Sequence, residues 1–176
     1  MSAVTPQRHA EQPALVPEEA DVLARVAGLP VDLAAMAVAQ NVWRAAQALR
    51  AHLERTVLRE EHLSWAGFSL LFNLWVWGPM ETRALAASMS CSRPTVTGLV
   101  ATLESQALVR RDAHASDGRL VVVSLTAAGR ERIETVFPRF NAGEARVTRD
   151  LDDDEKATLA ELLRRVVMTA KGDESA

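Results

Sequence analysis

Ser92, Arg93, Pro94, Thr95, Thr97 and Gly98 fall in one short stretch and suit the reading of a grooved polar surface. An arginine can donate paired hydrogen bonds to guanine O6 and N7, and a threonine can meet a thymine methyl or touch a phosphate. A glycine lets a helix approach closely. Side chains near a helix N-terminus are the ones that enter a major groove. Ser92 with Pro94 close behind has the form of such a start. Taken alone, the stretch is better read as a well-capped helix start and nothing more; a hairpin after that helix reverses the preference. Thr82 and Arg83, earlier in the chain, could position a nucleic-acid backbone through phosphate contacts.

A second group could bind a small molecule. Trp43, Trp65, Phe68, Phe72 and Trp75 recur at helical spacing, with Gln40, Asn41 and Arg44 nearby. An apolar pocket with a few polar groups would take a small aromatic or anionic effector. The same spacing builds an ordinary core, and both readings stand. Cys91 lies beside a helix start, where a thiol could serve as a redox sensor; the simpler reading is a small residue filling a turn. His52 and His62, with Glu60 and Glu61, hint at a metal, but structural sites need a closer and more complete ligand set. Solvated helix-end positions are expected instead, and no metal. Ser69, Ser88 and Ser90 have no histidine partner in any motif, and glycines are too sparse for a phosphate cradle. Neither catalysis nor a cofactor is expected.

The elements that must position these residues are mainly helical. Residues 1–17 read as a polar tail, and residues 18–27 as a short helix ended by Gly28 and Pro30. Residues 31–58 run without Gly or Pro, with Val38, Val42, Ala45, Leu49 and Leu53 in one stripe. A helix that long projects beyond a small domain, so its stripe calls for a partner. Ser64 can cap a helix over residues 65–77, stopped by Gly78-Pro79. Residues 81–89 make a short helix, and Ser92 caps one running to about Gln106. The period then changes to extended over 108–111 and 120–125, around an Asp117-Gly118 turn. Thr126 can cap the next helix, which Pro138 and Gly143 would interrupt or kink. Asp152 and Glu155 precede a final amphipathic helix with Leu159, Leu162, Leu163, Val166 and Val167.

Composition narrows the partners. The 176 residues carry a net charge of −3, which argues against coating nucleic acid along a whole surface. Residues 80–132 hold seven basic against five acidic side chains, leaving −5 for the rest, a modest asymmetry. The single cysteine fits a reducing compartment. Residues 1–12 contain no apolar signal region, and no apolar run is long enough for a membrane span. A cytoplasmic protein without membrane contact is expected.

Three helices followed by a hairpin make a winged helix-turn-helix, and particular residues are familiar. The run from Leu85-Ala86-Ala87-Ser88-Met89-Ser90-Cys91-Ser92 through Arg93-Pro94-Thr95-Val96-Thr97-Gly98-Leu99-Val100 resembles the helix-turn-helix of the multiple-antibiotic-resistance regulator (MarR) family. Leu103-Glu104, Leu108-Val109-Arg110-Arg111, Asp117-Gly118-Arg119 and Leu125-Thr126-x-x-Gly129 follow in the same order. The resemblance implies a mainly α, winged helix-turn-helix fold with a small β-hairpin wing and an interlocked helical dimerisation layer. It assigns residues 1–30 to a tail and short helix, 31–60 and 132–171 to dimerisation, and 61–131 to DNA binding. It further implies a homodimer on a pseudo-palindromic operator in double-stranded DNA, acting as a repressor relieved by a small molecule. His114, Ser116, Asp117 and Arg119 of the wing join the expected DNA contacts. Family wings usually end in consecutive basic residues, whereas a single Arg119 stands here, so this wing carries less charge. The alternative is a winged-helix module that binds protein and not DNA.

Overall fold

A computed structural model describes residue 15, residues 17–113 and residues 121–173. The expected wing contacts His114, Ser116, Asp117 and Arg119 lie outside the described residues. Contacts divide the chain into two compact units, residues 1–47 and 48–176.

The first unit contains α1 (Pro17–Val26) and the first part of α2 (Leu33–Leu53). Gly28, at φ +90°, takes the left-handed conformation that ends α1. Asp32 caps α2, its Oδ1 accepting the backbone N–H of Ala35 at 2.9 Å. Glu19 is buried and accepts a hydrogen bond from Asn41 Nδ2 at 3.1 Å, which joins the two helices.

In the second unit α2 continues into a π-helical turn, Glu54–Leu58. The wider turn brings Leu53, Val57 and Leu58 inward together, all three buried. Ser64 then caps α3 (Trp65–Trp77) by accepting the Gly67 N–H, and Gly78 at φ +78° ends it. A short strand β1 (Met80–Glu81) leads into α4 (Thr82–Ser88), and the turn after it delivers α5 (Arg93–Ser105). Strands β2 (Val109–Ala113) and β3 (Val121–Leu125) complete an antiparallel sheet of order β1-β3-β2. The sheet thus has a strand beyond the expected hairpin. Met80 and Glu81 pair with Val123 and Val122. Leu70, Leu71, Leu74, Leu85, Val96, Val100, Leu103, Val109 and Val123 form the core beneath it, contributed by helices and strands alike.

α6 (Ala127–Val147) begins at a corner fixed by two residues. Thr126 donates its hydroxyl to the Ala107 carbonyl at 2.7 Å and accepts the Gly129 N–H at 3.0 Å. A methyl group on Gly129 would run into the Leu108 carbonyl, so only glycine fits. Pro138 and Gly143 do not interrupt α6, which runs through both. Pro138 is exposed, so its ring faces solvent, and the Glu134 carbonyl that loses its helical partner lies on an exposed residue. Gly143 is buried where a Cβ would come within 2.5 Å of Leu53 Cδ2. It is a close-packing residue between α6 and the end of α2. α7 (Asp153–Asp173) opens with a reciprocal capping box. Asp152 Oδ1 accepts the Glu155 N–H at 2.8 Å, and Glu155 Oε2 accepts the Asp152 N–H at 2.9 Å.

Candidate nucleic-acid interface

α5 divides sharply between a buried and a bare face. Val96, Val100 and Leu103 point into the core, while Ser92, Arg93, Pro94, Thr95, Thr97 and Gly98 are all exposed. Ser92 Oγ accepts the Thr95 N–H at 3.2 Å, which satisfies one of the orphan donors of the first turn. Pro94 sits where its missing N–H costs nothing. The Thr97 hydroxyl donates to the Arg93 carbonyl at 3.0 Å, so its methyl is the group left to face outward. Among the described residues, no atom beyond its chain neighbours and own helix backbone lies within 4 Å of a Cβ placed on Gly98, so no packing contact there calls for a glycine.

The charges around this face are selective. Arg111 pairs with Glu104 at 3.0 Å, Arg110 with Asp112 at 3.4 Å, and Arg130 with Glu134 at 3.5 Å. Arg132 is engaged by Glu61. Among the described residues of 80–132, Arg83 and Arg93 are the basic side chains without an ion-pair partner. Both are exposed, Arg83 in the first turn of α4 beside half-buried Thr82, and Arg93 at the start of α5.

α3, β1, the helix-turn-helix of α4 and α5, and β2 all lie within residues 63–121, which match a family model, MarR family. The HTH-type transcriptional regulator YwaE of Bacillus subtilis (strain 168) is 40% identical over 152 residues, spanning 85% of this chain and 89% of that protein. The chain belongs to the MarR family. It is a DNA-binding transcriptional regulator of the winged-helix class. Among solved structures it is similar to Bordetella bronchiseptica BpsR, at 25% identity and a TM-score of 0.67 over 74% of this chain and 98% of that one. The description of that structure concerns regulation of its DNA binding by 6-hydroxynicotinic acid. AbsC of Streptomyces coelicolor, a MarR-family regulator, shares the fold at a TM-score of 0.71, 23% identity, and coverage of 81% and 97%.

In this MarR-family chain the effector candidates are carried by α2 and by α3. On α2, Arg44 Nη2 donates to Gln40 Oε1 at 2.8 Å and Nη1 to Asn41 Oδ1 at 3.5 Å, which holds the guanidinium in place. Trp43 on the same helix is 66% exposed. On α3, Phe68, Phe72 and Trp75 pack against rings that sequence spacing had not linked to them. Phe68 stacks on Phe140 at 4.1 Å between centroids, and Phe72 and Trp75 each lie 5.4 Å from Phe137. These partners belong to α6. Trp75 Nε1 also donates to Glu134 Oε1 at 3.2 Å. Phe72, Trp75 and Phe137 remain half-buried.

Two further positions differ from the sequence reading or refine it. Glu61 is not a solvated helix-end residue, because Arg132 and Arg139 both pair with its largely covered carboxylate, while Glu60 pairs with Arg139 and stays exposed. Among the described residues no group of three or more His, Cys, Asp and Glu side chains is arranged to hold a metal. Cys91 is half-buried against the core, and its N–H donates to the Ala86 carbonyl at 3.0 Å, closing the turn between α4 and α5. Among the described residues no helix is long and apolar enough to cross a membrane.

Proposed function

We propose that this chain is a homodimeric repressor, cytoplasmic and without catalytic activity of its own, that binds a pseudo-palindromic operator in double-stranded DNA. The carrying observation is the bare N-terminal half of α5. Arg93 is exposed and among the described residues has no acidic partner, the Thr97 hydroxyl is engaged by its own helix, and Gly98 faces open space. Arg93 reads a guanine, Thr95 and Thr97 meet phosphate or a thymine methyl, and Ser92, Pro94 and Gly98 let the backbone approach. Thr82 and Arg83 contact phosphate. His114, Ser116, Asp117 and Arg119, outside the described residues, supply the wing contacts, with Arg119 as the cation.

A small aromatic or anionic effector relieves repression. Arg44, with Gln40 and Trp43, is one candidate contact, suited to an anionic group. Phe68, Phe72 and Trp75 are another, suited to an aromatic ring. Dimerisation is supported by the apolar faces left in water on α2 and α7, where Val38 and Val42 are 54% and 36% exposed and Leu162 and Val167 48% and 49%.

Selection of bound sequences from a pool of random duplex DNA tests the function, its symmetry and its half-site spacing together. Enrichment of an inverted repeat is expected. Recovery of no preferred sequence at low salt would leave the protein-binding module as the reading. Addition of small aromatic carboxylates to the selected complex then tests relief.

A further inference from the structure

The segment joining α2 to α3 is held by an arrangement that the groove-facing residues do not use. Arg132 and Arg139 stand two turns apart on α6 and so share a face. Arg132 places Nη1 3.3 Å from Glu61 Oε2 and donates through Nη2 to the Glu61 backbone carbonyl. Arg139 donates through Nη1 to Glu61 Oε1 and through Nη2 to Glu60 Oε2. One residue is thus gripped by its carboxylate on both oxygens and by its main chain. The Glu61 side chain keeps only 14% exposure, against 62% for Glu60, so solvent screens it least.

Other features converge at the same junction. The π-helical turn Glu54–Leu58 lies immediately before it, and π-turns within helices occur frequently at functional sites. Gly143 packs on Leu53 with no room for a methyl, which locks α6 to the start of that turn. His62, directly after Glu61, holds φ +52°, a left-handed conformation in which the chain turns toward the Ser64 cap of α3. A partly exposed ion pair adds little stability by itself. Planar guanidinium forks, by contrast, fix direction.

We propose that Glu61, Arg132 and Arg139 are positioning residues that set the angle between α6, with the turn Glu54–Leu58 packed on it, and the winged region. Through that angle they determine which half-site separation the dimer accepts. The proposal rests on the operator-binding reading above. None of the three is among the residues assigned to DNA or effector.

The test measures full-length protein on duplexes carrying the selected half-sites at their selected separation, and with two base pairs inserted or removed. Wild-type protein should lose about tenfold or more in affinity on the altered spacings, comparable to the loss of one base-pair match. Arg139→Ala should shrink that ratio about threefold. Its affinity for a duplex with a single half-site should stay unchanged, a combination that simple destabilisation does not produce. Arg139→Lys should lie between, since a point charge cannot grip both acids. An unaltered spacing ratio in folded Arg139→Ala overturns the proposal. If that variant does not fold, the same result in Arg139→Lys overturns it. A wild-type protein that binds no duplex at all removes the operator-binding reading and this one together. A wild-type protein that discriminates while its variants discriminate equally removes only the clamp.

Discussion

The Ser92 hydroxyl accepts the Thr95 N–H at 3.2 Å and lies 2.7 Å from the Thr95 hydroxyl. One contact therefore both starts α5 and orients a side chain proposed to face DNA. Ser92→Ala should cost about 1 kcal/mol of stability through the lost cap, read as a lower urea midpoint. Ser92→Asp separates the two roles. It should keep the cap and the midpoint, yet weaken DNA binding by placing a negative charge against a polyanion. Equal DNA affinity in Ser92→Asp and wild type would mean that this end of α5 does not approach phosphate.

Gly98 offers a prediction in which stability and binding move oppositely. It sits inside a helix with open space beyond it and no left-handed backbone to protect. Gly98→Ala should stabilise the fold by roughly 0.5–1 kcal/mol, from helix propensity and lost unfolded-state freedom. The added methyl should weaken DNA binding if α5 enters the groove as proposed. Thermal unfolding and DNA titration of one preparation read both, and tighter binding would contradict the assignment.

Arg93 and Thr97 are coupled by the hydrogen bond from the Thr97 hydroxyl to the Arg93 carbonyl. Arg93→Ala should cost about 1–3 kcal/mol at one base position, as expected for a bidentate contact to guanine. Uniform weakening across sequences would instead make Arg93 a phosphate contact. Because the Thr97 hydroxyl is engaged within the helix, Thr97→Val should bind DNA nearly as well as wild type. Thr97→Ala should lose more, having lost the methyl. The reverse order would show that the hydroxyl turns to the DNA.

These contrasts show where local sequence carries the structure. The start of α5 was legible because capping is local: Ser92, Pro94 and Thr95 sit within one turn. The caps at Ser64, Thr126 and Asp152 were legible for the same reason. β1 was not, since Met80 and Glu81 become a strand only by pairing with Val123 and Val122, more than a turn of chain away. Gly143 read as a helix breaker because its reason is Leu53, on another helix. Glu60 and Glu61 were grouped with nearby histidines, while their partners Arg132 and Arg139 lie 71 to 79 residues further on. Phe68 and Phe72 showed their helical stripe, but not that Phe137 and Phe140 would complete it. Periodicity tells which face of an element is apolar and leaves open what covers it.

The last prediction concerns that question for α7. Its capping box fixes a helix start, and its apolar stripe then runs uncovered. Leu159, Leu162, Leu163, Val166 and Val167 are 36% to 49% exposed. Most helix stability in proteins comes from packing an apolar face rather than from intrinsic propensity. Burying the remaining surface of each side chain contributes on the order of 1 kcal/mol. The exposed stripe of α2, including Val38 at 54% and Val42 at 36%, has the same requirement, and a two-fold copy of the chain would meet both at once. Sedimentation at micromolar concentration should therefore give a dimer, with a thermal midpoint that rises with protein concentration. Leu162→Glu with Leu163→Glu should give a monomer. Its winged region should still unfold cooperatively, because the core around Leu71, Val96 and Val123 contains no residue of α7. That monomer should lose the preference for paired over single half-sites. A well-folded wild-type monomer at these concentrations would remove the physical basis for a two-fold operator.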